Sequence, residues 1–342
     1  MKTIKRIIPL LLTAVLLFTL TAFAGTAEES PYEWPENPTE TYELTVGVTV
    51  AENTPAGQAL LEIDKALREE SHGAVGLDIF WESTLGSSVE LGEALVSGTI
   101  DIALISSAVI SNYTKAIDVL SLPFIITNRE QIKTVIDEYF DDVTAGMPEN
   151  IGVPLGIWEF GFRHLFTKEK EVKCLEDIKG LTIRVMDGKL YSSTFEALGA
   201  IPTNISLSEL VTAFQQGVID GVELSLAAFV NQQQHTFCKY AAFIGYNYSV
   251  GCPTMSNDAF DRYPQEVTDL VQKVFWDYKY FTVDAGAEAE EEYTKTCEDA
   301  GMTINYFDDA EMQKLKDAVQ PVWDSYKDII GAELIESVSN IQ

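Results

Sequence analysis

ELGEALVSGTIDIAL, residues 90–104, returns without a gap as ELVTAFQQGVIDGVE, residues 209–223. Glu-Leu, the Ala four positions after the Glu, the Gly and the Ile-Asp pair fall at the same offsets in both copies. Each copy reads as an amphipathic helix that stops at Gly98 or Gly217, the residue type that takes a left-handed C-terminal cap, with a strand starting at once. The second copy carries in addition a capping box, Ser206 with Glu209. A helix-Gly-strand unit used twice predicts two similar lobes, each with its own sheet.

The sequence around the copies extends this reading. From Tyr42 onward short apolar strands (ELTVGVTV, GLDIFW, IDIALIS) alternate with amphipathic helices at Ala59 to Arg68 and Val89 to Val96, the βαβα order of an α/β fold with mainly parallel strands. WEFGFRHLFT, Trp158 to Thr167, reads as a strand long enough to run from one lobe into the other, and YNYSVGCPTMSN, Tyr246 to Asn257, could return. Pro264 to Gly301 reads as one helix of about 55 Å, longer than one lobe, so it should bridge both, with Gly286 as the place to bend. Asp308 to Val338 reads as a helix pair interrupted at Pro321. The expected division is lobe I from 42–160 and 249–288, and lobe II from 161–248 and 289–342.

The first residues bound the location. Lys2, Lys5 and Arg6 precede an apolar run, Ile7 to Ala24, and Ala22-Phe23-Ala24 offers a small-x-small cleavage site, so residues 1–24 read as a secretory signal peptide, with an uncleaved anchor as the competing reading. No cysteine follows for acylation. Residues 25–41, acidic and carrying Pro31, Pro35 and Pro38, read as an extended linker. Net charge is −30 over 342 residues, and loss of the leader makes it three charges more negative. Such a surface repels nucleic acid and anionic lipid. Cys174, Cys238, Cys252 and Cys297 show neither a C-x-x-C pair nor zinc spacing with the histidines, and their pairing stays open.

Catalytic motifs are absent. The three histidines, His72, His164 and His235, sit in no HExxH pattern, and there is no G-x-S-x-G elbow, phosphate loop or calcium loop. The expectation is a binding protein with no catalytic residue, cofactor or metal. In open α/β sheets ligands sit beyond the carboxyl ends of strands. GLTIRVMDG, residues 180–188, puts Arg184 near such an end, before the Met186-Asp187-Gly188 turn. Its planar fork can meet a carboxylate with two parallel bonds. Ser106 and Ser107 after one echoed strand, and Leu224-Ser225 after the other, should face each other across a cleft. Trp158, Phe160, Phe162 and Arg163 enter it from the crossing strand. Arginines, serines and aromatics in a cleft suit a small organic anion.

At this point the chain resembles a known family, the extracytoplasmic solute-binding subunits of tripartite ATP-independent periplasmic (TRAP) transporters. The resemblance rests on STLGSSVELGEALVSGTIDIAL, on LPF at Leu122 to Phe124, on GFRH at Gly161 to His164, and above all on residues 177–221, DIKGLTIRVMDGKLYSSTFEALGAIPTNISLSELVTAFQQGVIDG. It implies an α/β, two-lobed periplasmic-binding-protein-like fold with a hinge and a long helix bridging both lobes. It also implies a carboxylate anchor at Arg184, an assisting arginine at Arg163, and membrane permease subunits as partners of a monomer on the outer side of the cytoplasmic membrane. Where members carry a Glu-Asn-Pro-like run, this chain has Glu223, Leu224 and Ser225, and a leucine cannot donate the asparagine's hydrogen bond. A monocarboxylate with an apolar or aromatic body therefore stands beside a C4-dicarboxylate. A sensory module of the same fold, reporting to a membrane kinase, is the alternative from another class.

Overall fold

The computed structural model describes residues 32–186, 188–205 and 209–341. Among the described residues ten strands form one hydrogen-bonded sheet: β1 (Tyr42–Val48), β2 (Val75–Phe80), β3 (Ile102–Ser106), β4 (Val153–Pro154), β5 (Trp158–Thr167), β6 (Thr182–Val185), β7 (Ile201–Asn204), β8 (Gly221–Ser225), β9 (Tyr240–Met255) and β10 (Thr303–Tyr306). The order β2-β1-β3-β9-β5-β8-β6-β7 is two similar halves back to back. In each, three parallel strands end on an antiparallel crossing strand, β3 on β9 and β8 on β5.

The echo is structural. Gly98 and Gly217 both take φ of +67°, and each ends a helix, Ser88–Val96 and Leu210–Gln216, directly before β3 or β8. Asp101 accepts from the Thr45 amide at 2.8 Å, and Asp220 accepts from the Thr182 amide at the same distance. In both halves the Asp thus bonds the neighbouring strand one residue before its parallel ladder begins, at Val46 or Ile183. The first copy has its own capping box, Ser87 with Glu90; the predicted one at Ser206 lies outside the described residues, as does the leader.

Three expectations are corrected. The halves do not carry separate sheets, because β5 and β9 are long enough to pair with each other from Trp158↔Gly251 to Thr167↔Tyr240 and close the ladder. The bridging helix is shorter than expected, since the run after Pro264 divides into Gln265–Asp277 and Phe281–Asp299. The break falls at Tyr278 to Tyr280, where Lys279 lies over the Trp276 and Tyr280 rings and bonds Asp137 at 2.7 Å. Phe281–Asp299, about 28 Å long, still packs on both halves, through Pro55–Glu70 in one and Leu226–Asn231 in the other. Finally, Asp309–Ile330 runs through Pro321 and ends at Gly331, φ +104°. Its apolar stripe, Leu315, Val319, Val322 and Tyr326, is buried on both sides of the proline and offsets the lost hydrogen bond.

Gly286, expected as a bend, lies inside its helix for another reason. A Cβ there would stand 2.6 Å from Glu159 Oε1 and 2.7 Å from Glu159 Cδ. The helix approaches that buried carboxylate so closely that only glycine fits. Gly286→Ala should therefore lower stability by about 1–3 kcal/mol, read as a drop in melting temperature, and an unchanged value would contradict this packing.

Candidate functional site

The carboxyl ends of β3, β6 and β8 open on a cavity of about 1030 Å³, whose walls come from both halves of the sheet and from the helix Phe281–Asp299. Ser106 and Ser225, equivalent in the echo, both line it, each as the N-cap residue of the helix that follows its strand. Leu224, Phe160, Arg163 and Arg184 line it as well. Trp158, Ser107 and Glu223 do not. Trp158 is fully buried and stacks on Phe275 at 5.8 Å. Ser107 is buried and shares a hydrogen bond with Ser121. The reason for Trp158 lies in the pairing with β9: the β5 ladder shifts register between Glu159 and Gly161, where Gly161 has φ of +92°. Such a bulge re-aims the side chains around it, and Phe160 comes to lie over Gly251.

Arg184 is 4 % exposed. Its Nε donates to the Ile205 carbonyl at 2.8 Å, and its Nη1 is buried without a hydrogen-bond partner among the described residues. Burial is the main force pushing its pKa down to about 10, Glu223 opposes it and the Arg163 charge adds to it. A buried cation without its counter-charge, at the wall of a cavity, is what a binding site for a carboxylate requires.

Arg163 differs. It is buried and held by both oxygens of Glu223, Nε to Oε2 at 2.6 Å and Nη2 to Oε1 at 2.8 Å. Glu223 also accepts from the Met186 amide at 2.7 Å and from the Tyr246 hydroxyl at 2.5 Å. This network ties β5, β8 and β9 to the end of β6, two residues beyond Arg184. Arg163 is thereby occupied, and Glu223 stands behind the cavity wall as its holder.

A second charged group escaped the sequence reading. Arg129, at the start of the helix Arg129–Glu138, lines the cavity between Glu159 at 2.7 Å and Glu290 at 2.6 Å, and lies 5.6 Å from the Phe162 ring centroid. Nothing in the chain order joins residues 129, 159 and 290. The spacing of charges could not have found them.

His164, in GFRH, turns away from the cavity. Its Nδ1 accepts from the Gly245 amide at 3.1 Å, its ring stacks on Phe243 at 4.4 Å, and burial lowers its pKa to about 3. The unfolded chain therefore binds a proton that the folded one refuses. The resulting stability is full above the ordinary value near 6.5 and is lost as pH falls toward 3, at up to about 1.4 kcal/mol per pH unit. Urea melts at pH 7 and 4.5 should show this loss, and His164→Phe should reduce it; an equal loss in the variant would contradict the assignment.

The model of bacterial extracellular solute-binding protein family 7 (DctP) matches residues 46–328. A protein named solute-binding protein from Verminephrobacter eiseniae is 25% identical over 87% of this chain and 89% of its own length. The C4-dicarboxylate-binding periplasmic protein DctP of Vibrio cholerae is 25% identical over 96% and 97%. The crystal structure of the sugar acid binding protein DctPAm from Advenella mimigardefordensis, in complex with galactonate, superimposes with a TM-score of 0.84 at 26% identity, covering 88% of this chain and 98% of that one. This chain belongs to the DctP family of extracellular solute-binding proteins, the binding subunits of TRAP transporters.

Proposed function

We propose that this protein captures a small organic acid between its lobes, with the ligand carboxylate on Arg184, and hands it to the membrane subunits of a TRAP transporter. The family and its structural neighbours are extracytoplasmic transport proteins and not enzymes. The observation that carries the reading is that Arg184, a cavity-lining residue, holds a buried Nη1 with no protein acceptor among the described residues. Residues 1–24 export the chain, which acts as a monomer. The lobes are 42–160 with 249–288 and 161–248 with 289–342, hinged on β5 and β9. Closure removes water from around Arg184 and strengthens its attraction for the carboxylate. Arg163 acts through Glu223 as a support, Ser106 and Ser225 offer hydroxyls from the two lobes, and Leu224 with Phe160 favours an acid with an apolar part over a compact C4-dicarboxylate.

Thermal-shift measurements with mono-, di-, sugar and aromatic carboxylic acids test this. At least one acid should raise the melting temperature by mass action, and its neutral amide should not. If no acid shifts it, the reading fails.

A further inference from the structure

The charges on the cavity wall do not cancel locally. Among the described residues, Arg129, Arg163 and Arg184 line it together with Glu82, Glu90, Glu159 and Glu290. Arg163 is neutralised by Glu223. Arg184 is left as an unmet positive pole. Around Arg129 the imbalance is reversed, one guanidinium against two carboxylates.

Glu159 has no capacity left. Both its oxygens take Arg129, Oε2 also accepts from the Tyr248 hydroxyl, and the residue is 4 % exposed. Burial raises its pKa, and Glu290's charge adds to that against the pull of Arg129. Glu290 gives Oε2 to Arg129, and its side chain, 28 % exposed, lines the cavity. An acid with a second carboxylate would bring one more negative charge to this end.

Resting on the organic-acid reading of the same cavity, we propose that the ligand is amphoteric: a carboxylate meets Arg184, and an ammonium or guanidinium group meets Glu290. The poles do not share one carbon. Glu159, joined to Glu290 through Arg129, and Arg163, joined to the end of β6 through Glu223, are four residues apart on β5 with the bulge between them, at most about 13 Å of strand, so the basic group lies several bonds from the carboxylate, as in an ω-amino or guanidino acid. Such a ligand carries no net charge, and a protein of formal charge −30 does not repel it at long range.

Titration calorimetry on the full chain tests this with 4-aminobutanoate, 6-aminohexanoate and 4-guanidinobutanoate, each against the deaminated acid and the dicarboxylate of the same length. A basic acid should bind at least tenfold tighter than both matched analogues, and Glu290→Gln should bring that ratio close to one. Tighter binding of the deaminated acid or the dicarboxylate, or a ratio that survives Glu290→Gln, would overturn the amphoteric assignment and leave the organic-acid site standing. Binding by none of these probes would overturn the amphoteric assignment; only silence across the wider carboxylate screen would also remove the organic-acid reading.

Discussion

Arg184→Ala should weaken binding of the carboxylate ligand by tenfold or more, about 2–4 kcal/mol, because it removes one partner of a desolvated, charge-assisted pair. The ligand-free protein should tell the opposite story. Burial depresses the Arg184 pKa, which means that holding this charge without a counter-ion works against folding. Arg184→Met, which keeps the apolar stem and drops the charge, should therefore match or exceed the parent's melting temperature without ligand while failing to bind. Calorimetric affinity and the ligand-free melting temperature together measure both effects. Undiminished affinity would remove the anchor; a large loss of ligand-free stability would make Arg184 a structural residue.

Glu223→Ala should have the largest effect on stability. It leaves the buried Arg163 without its counter-charge and takes the acceptor from the Met186 amide and the Tyr246 hydroxyl. Breaking a buried pair from one side costs about 3–5 kcal/mol. Replacing both partners, Arg163→Met with Glu223→Leu, should recover the part of that loss that comes from the unpaired Arg163 charge, while the Met186 amide and the Tyr246 hydroxyl stay without their acceptor. Urea denaturation of the single and double variants measures the difference. A single variant within 1 kcal/mol of the parent would show that the pair does not hold β5 to β8. The same experiment bears on Arg163 itself: an arginine already held by both oxygens of a glutamate orders the wall around Arg184 and has little left to offer a ligand.

The repeated helix-Gly-strand unit, the strand carrying Arg184, the crossing strand at Trp158 to Thr167 and the apposition of Ser106 and Ser225 were legible along the chain. Each is a property of neighbours in sequence. A left-handed glycine, a period-two apolar pattern and a strand end are local, and the second copy put the two strand ends in correspondence. Trp158 was misplaced because a one-residue bulge changes which side chains share a face, and the bulge at Phe160 and Gly161 is set by pairing with β9. The break at Tyr278 to Tyr280 has no glycine or proline to announce it in the sequence, and Lys279 there bonds Asp137 on a helix far away in sequence.

The order of elements, the doubled helix-Gly-strand unit and the place of Arg184 near a strand end follow from local propensity and spacing, which act between residues a few positions apart. Which charges remain unmet was decided by tertiary structure alone. Arg163 and Glu223 lie 60 residues apart, and Arg129 and Glu290 lie 161 apart. Coulomb energy depends on distance in space and on exclusion of water, and neither is defined until the sheet has closed around the cavity.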